Sequence, residues 1–457
     1  MLTIQTRLIH VLLLIFTLLF SSQTFSDQFA IKAGFILDVE SGEIKANQII
    51  LIEGNQIKEI TTNLPDGYKT IDLSDKYILP GLFDMHTHLV GVLDKTYFSS
   101  IFQSPHRAMI GGVVNANKTL MAGFTSVRNV GAPDFMDVAL RNSIDANEVP
   151  GPRMKVSGPS IGITGGHCDN NYLNHSFEQY SDGVADGPWE IRKKIRNNVK
   201  YGVDLIKFCA TGGVFSHGTK VGLRQYTFDE MKALIDEAHD RDRHVAAHAH
   251  GNEGIEFAIL AGVDTIEHAT FLNEETAILA KENNVTLAMD IYNTDYTQEF
   301  GRKNGVPEAN LIKDLETGES QRNGFRIAVE NGVNLVYATD SGVYPHGDNA
   351  KQFPIMVKYG MTPIEAIQSA TTVAAELFDP TLKIGQIKVG YLADIIAVNE
   401  NPLKNIRTFE DVVFVMKDGK VFKEQDFFVT ITAKYTFRPN KQCRFFFIRF
   451  TVSNYFF

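Results

Sequence analysis

Two histidines one residue apart, His86 and His88, end an apolar run that opens at Leu82, directly after the breaker Leu79-Pro80-Gly81. Residues two apart on a strand share a face, so both imidazoles can reach one metal ion. Alone the pair says little, because thirteen histidines make a chance pair unsurprising and imidazole has many uses. Further along, polar residues close apolar runs at Lys207, His248, His268 and Asp340. Three histidine positions, an acid and a lysine are the set that a two-metal hydrolytic site needs. An ammonium beside divalent cations is repulsive. The lysine fits if burial keeps its amine neutral and carbon dioxide converts it to a carbamate, a bridging anion. Any one of these histidines is more simply a satisfied core or surface residue. Six such residues at the ends of apolar runs are hard to attribute to accident.

The elements that must position them read as an α/β alternation. Strand-like runs open at Leu82 and recur at 124–128, 154–157, 205–208, 245–248, 265–268, 286–289 and 335–339. Helical stretches fall between them at 189–201, 229–240, 252–261, 274–283 and 324–331. Thr227-Phe228-Asp229-Glu230 and Thr362-Pro363-Ile364-Glu365 are capping boxes, the second with Pro at the first helical position. Eight strand–helix repeats predict a (β/α)₈ barrel over 79–382, in which groups at the C-terminal strand ends converge. Short β-like runs flank it at both chain ends, including two runs around Glu53-Gly54-Asn55 that read as a hairpin. Neither end can cover its own apolar face, so 27–78 and 383–425 are expected to form one composite β-sandwich with the barrel inserted.

Composition is globular: 457 residues, 44% hydrophobic, 21% charged, net charge −10. No basic stripe appears, which argues against a nucleic-acid partner. Arg7, the apolar stretch 8–20 and the small residues at 21–26 predict a secretory signal at 1–26; as a membrane anchor the stretch is short for a span. No stable span is expected after cleavage. The three cysteines, Cys168, Cys209 and Cys443, are sparse and odd in number, and read as no disulfide framework, with Cys209 a packing residue. Export with few cysteines suits a bacterial periplasm or the medium. The aromatic and basic tail 426–457 has no assigned role.

The sequence resembles the amidohydrolase superfamily of metal-dependent hydrolases over about 29–421. Thr339-Asp340-Ser341-Gly342-Val343-Tyr344-Pro345-His346-Gly347-Asp348-Asn349 and Thr164-Gly165-Gly166-His167 look like its Xaa-Pro dipeptidase and imidazolonepropionase-related group. The resemblance implies two divalent ions, usually zinc. His86 and His88 would hold one with Asp340, His248 and His268 the other, and carboxylated Lys207 would bridge them. It implies that Asp340 also shuttles the proton and that His250, two past His248, polarises the substrate carbonyl; by alternation His250 could instead be a metal ligand. His167 resembles a substrate-binding histidine, or is a solvated loop residue. Arg128 could meet a substrate carboxylate or pair with a barrel acid. Tyr292 is a further substrate-side candidate, with His346 and His217 ranked below these. Cys168 stands where the group often has a small residue.

The expected function is an exported zinc-dependent dipeptidase acting on a small-molecule substrate, of Xaa-Pro type. The alternatives are a hydrolase of cyclic amides or N-acyl amino acids on the same site, and a non-catalytic binding protein. A homo-oligomer is left open.

Overall fold

The computed structural model describes residues 28–91, 98–99, 103–177 and 181–424. The expected signal at 1–26 and the tail 426–457, with Cys443, lie outside the described residues. Among the described residues no helix is long and apolar enough to cross a membrane.

Both chain ends enter one seven-stranded sheet. Its strands are β1 (Gln28–Leu37), β2 (Ile44–Glu53), β3 (Gln56–Thr61), β4 (Lys69–Pro80), β13 (Ile395–Val398), β14 (Phe414–Lys417) and β15 (Lys420–Lys423). They lie in the order β15-β14-β13-β4-β1-β2-β3. β2 and β3 form the expected hairpin, with Glu53 opposite Gln56 and Gly54 in the left-handed region at φ 61°. β13 pairs antiparallel with β4, Ile395 opposite Pro80, and so ties the returning chain to the strand that enters the main domain. Alternation divides the side chains. Ile78, Ile395, Ala397, Phe414 and Met416 fill the sheet's own core, whereas Leu79, Ile396, Val398 and Val415 join the core of the main domain. Where β1 shifts register at Gly34, a Cβ would lie 2.3 Å from the Ser74 carbonyl oxygen, so only glycine permits that close approach.

The eight expected strands are all present and pair in parallel. β5 (Leu82–Thr87), β6 (Phe124–Asn129) and β7 (Arg153–Val156) form one sheet. β8 (Leu205–Cys209), β9 (His244–Ala249), β10 (Thr265–His268), β11 (Thr286–Ala288) and β12 (Leu335–Val336) form another. Main-chain bonds join the two sheets on both sides. Ile161 N donates to Lys207 O (2.8 Å) and Cys209 N to Ile161 O (2.9 Å); Met85 N donates to Tyr337 O and Asp340 N to His86 O, both at 2.8 Å.

Helices Gly187–Lys200, Phe228–His239, Asn252–Ala261 and Glu274–Glu282 alternate with these strands, and both capping boxes are formed. The helix expected at 324–331 is longer and runs Glu308–Asn331. Its buried face carries Asn310, Asp314, Thr317 and Gln321, so no apolar period announces its first half. Asp314, Thr317 and Gln321 line the site.

Candidate metal centre

Lys207 and His248 reach the site by plain strand alternation. Leu205 and Ala246 share an inner cluster, while Ile206, Phe208, Val245 and Ala247 belong to the outer core. Lys207, Cys209, His248 and His250 therefore continue the inner face. His86 and His268 do not follow from alternation. β5 shifts register between Asp84 and Thr87, which re-aims His86. His268 has φ 71°, Ala269 φ 46° and Asp340 φ 54°, sparsely populated conformations for residues with a Cβ, which cluster at functional sites.

The result is two ligand sets in one cavity of about 450 Å³. His86 Nε2 and His88 Nε2 lie 3.3 and 3.2 Å from the same oxygen, Asp340 Oδ1. His248, His250 and His268 bring a second trio of ligand atoms within 4.8 Å of one another, and His268, Asp290 and Asp340 a third that joins the two. Lys207 Nζ and His248 Nε2 are buried without a hydrogen-bond partner. Leaving such atoms unpaired costs about 1–3 kcal/mol each. A converging set of imidazoles and carboxylates with an unpartnered imidazole nitrogen, His248 Nε2, among them fits divalent cations.

Four of the site's histidines are aimed by what their Nδ1 atoms meet. Glu267 Oε2 lies 2.7 Å from His86 Nδ1 and Asp290 Oδ1 2.7 Å from His268 Nδ1. Facing a carboxylate, Nδ1 carries the proton and Nε2 is left as the ligand. Thr270 Oγ1 meets His250 Nδ1 at 2.6 Å, and Ser216 Oγ meets His167 Nδ1 at 2.9 Å. The His167 ring stacks on His248 with centroids 4.1 Å apart and lines the cavity.

Burial dominates the electrostatics. It pushes His167 and His268 down to about 3 and holds His248 and His250 well below the usual imidazole range, so all four are neutral. It also lowers Lys207 to about 8, with Arg128 acting in the same direction and Glu267 against it. Asp290 is raised to about 8 by burial and then by the charge of Asp340. Asp340 is held low against its own burial by His86 and His88.

Arg128 is a correction to the expectation of a substrate-binding arginine. It is 5% exposed. Its Nε donates to Met85 O (2.6 Å), one terminal nitrogen to Thr265 Oγ1 (3.0 Å) and the other to Glu267 Oε1 (2.6 Å). The guanidinium pairs with the inner acid and is absent from the cavity lining. Tyr292 is likewise outside that lining and packs edge-on against Tyr344. His346 is turned to the His88 carbonyl oxygen at 3.1 Å, and His217 is exposed.

The cysteines are a second correction. Cys168 and Cys209 form a disulfide. The parallel bridge between Ile161 and Phe208 lays the loop that carries His167 beside β8 and brings the two Cα atoms to 6.0 Å. A separation of 41 residues gave no hint of that pairing.

Glu267, Asp290, Asn293 and Gln321 were not foreseen. Gln321 Nε2 donates to Asp290 Oδ1 at 3.0 Å, and Asn293 Nδ2 to Asp290 Oδ2 at 2.5 Å. The one available signal was position: Glu267 precedes His268, and Asp290 lies two beyond the end of β11.

Residues 77–422 match the Amidohydrolase family. The chain belongs to the amidohydrolase family. Its members are metal-dependent hydrolases, and this amidohydrolase carries the candidate His/Asp sites described above. It is 32% identical over 372 residues to an ochratoxinase of Aspergillus niger, covering 76% of this chain and 75% of that protein. Among solved structures it is similar to a Xaa-Pro dipeptidase with methionine bound in the active site, at 36% identity and a TM-score of 0.82, over 87% of this chain and 100% of that one. A prolidase complexed with N-methylphosphonate-L-proline is 29% identical with a TM-score of 0.79, again over 87% of this chain and 100% of that one.

Proposed function

We propose that this amidohydrolase cleaves an amide bond of a dipeptide, of Xaa-Pro type, with two divalent ions, zinc by family habit. The observation that carries the reading is the meeting of two ligand sets around the unpartnered, buried Lys207. We read the eight parallel strands as a closed (β/α)₈ barrel over 79–382, set into a composite β-domain of 27–78 and 383–425. We read 1–26 as a signal, which makes the enzyme periplasmic or secreted.

His86, His88 and Asp340 would hold one ion, and His248 and His268 the other. The neutral form of the Lys207 amine would add to carbon dioxide: an N–C bond forms as one C=O π bond opens onto oxygen, one N–H proton passes to water, and the resulting carbamate would supply an anionic ligand to the ions. When bound, two such ions polarise a carbonyl and bring a shared water's pKa toward about 7. Asp340 Oδ2 receives a proton, oriented by Asn293 Nδ2 at 3.3 Å, and delivers it to the departing nitrogen. Without that proton an amine is a poor leaving group. His250, its Nδ1 anchored on Thr270, presents Nε2 to the carbonyl oxygen on which charge grows. His167, stacked on His248, contacts substrate.

A second reading, hydrolysis of N-acyl amino acids or cyclic amides on the same centre, is kept because the chain's relatives include hydrolases not named as dipeptidases, an ochratoxinase among them. A turnover screen over mixed dipeptides, N-acyl amino acids and cyclic amides, run beside metal analysis, separates these. Stoichiometric metal with no turnover on any class would leave a binding protein.

A further inference from the structure

The helix Glu308–Asn331 turns Asp314, Thr317 and Gln321 to the cavity. Gln321 supports Asp290 there. Asp314 supports nothing in the metal centre. It is 4% exposed, and its carboxylate accepts only from Thr294 Oγ1 at 3.2 Å and Gln298 Nε2 at 2.7 Å. Among the described residues no lysine, arginine or histidine forms an ion pair with it. Burial raises its carboxyl, as does the charge of Asp290, while those two donors and, at longer range, Arg322 act in the other direction. A buried carboxylate whose hydrogen bonds come only from neutral donors, with Arg322 acting on it from beyond ion-pair distance, remains costly, and a cation brought to it recovers part of that cost.

Beside it on the cavity wall stands Asn293, 7% exposed. Its NH2 group supplies one donor to Asp290 Oδ2 at 2.5 Å and one to Asp340 Oδ2 at 3.3 Å. The orientation is therefore fixed, and the carbonyl oxygen Oδ1 is left buried without a partner. Among the described residues, the cavity's lining includes no arginine, and its one lysine is Lys207.

We propose that Asp314 and Asn293, with Thr294 and Thr317, form a subsite for a cationic nitrogen of the substrate. The proposal rests on the amide-hydrolase reading and deepens it: the substrate carries an ammonium or guanidinium near the bond that Asp340 serves. The cation is either the free α-amine of the acyl residue or a basic side chain.

Two matched pairs tell these apart on the metal-loaded full-length enzyme: Ala-Pro against propionyl-Pro, which lacks only the α-amine, and Ala-Lys against Ala-norleucine, which lacks only the side-chain ammonium. Affinity is read as KM where a compound is cleaved and as a calorimetric Kd where it is not. The wild type is expected to favour the charged member of one pair by about tenfold or more, equivalent to about 1.4 kcal/mol. Asp314→Asn is expected to reduce that ratio to below about threefold. Asp314→Ser is measured in parallel, so that a folding failure of one variant leaves the other. A wild-type ratio below about threefold in both pairs overturns the subsite, as does a preference that survives both variants. Absence of turnover on all amide classes counts against the hydrolase reading, whereas the affinity ratios judge the subsite independently.

Discussion

The two ligand sets draw their negative charge from different places. His86 and His88 close on Asp340, an acid that those imidazoles themselves hold low. His248, His250 and His268 offer three rings that burial keeps neutral, and their nearby acid, Asp290, is pushed up to about 8. The first set brings its own anion. The second must acquire one, and Lys207, unpartnered in the same cavity, is the group that can become it.

The largest effect expected from this contrast is at Lys207. Lys207→Ala is expected to lose the second set's metal before the first, with turnover down by more than about 10³-fold. A short carboxylic acid in the buffer is expected to restore part of both. Metal analysis beside rate measurements checks this; a variant that keeps both ions and its rate places the bridge elsewhere. Asp340→Asn comes next, at about 10²–10⁴-fold in kcat, since it removes the proton carrier. His250→Asn is expected to cost about 10²–10³-fold and His250→Tyr, which keeps a donor, less. Because His250 stands in the second ligand trio, the metal content of its Asn variant decides its role: both ions retained makes it a donor to the carbonyl, one ion lost makes it a ligand.

Glu267 sharpens the comparison from the other side. Its carboxylate holds Arg128 and Thr265 on one oxygen and His86 on the other. Glu267→Gln is expected to weaken the first set's metal about 10–100-fold and spare the second, read by competition with a chromophoric chelator. Equal loss at both sets contradicts that placement of Glu267 behind the first set alone. The smallest activity effect is expected at the Cys168–Cys209 bridge, which closes a loop of 41 residues. Cys168→Ser is expected to cost up to about 4 kcal/mol in stability, with KM raised a few-fold through His167 and kcat little changed. Thermal unfolding and a full KM–kcat split test it; an unchanged melting temperature contradicts it.

Where alternation governs, the site could be read from the chain. Lys207, His248 and His250 lie on the inner faces of two regular strands, and the two capping boxes mark helix starts as written. Legibility failed where the backbone departs from its period. The register shift that re-aims His86 and the left-handed backbone at His268 were invisible, although both residues were found by type and spacing. It also failed where partners come from distant segments. Arg128 and Glu267 are 139 residues apart, and nothing local indicates that the arginine's donors are already spent. The first half of helix Glu308–Asn331 was missed for a related reason: a polar buried face looks like loop until a cavity lies behind it.

The most direct test titrates metal-stripped protein with zinc while following both bound metal and amide hydrolysis. A bridged pair of sets predicts that activity stays near zero through the first equivalent, rises with the second, and levels at about two ions per chain. Full activity without metal, or a plateau at one equivalent, contradicts the account.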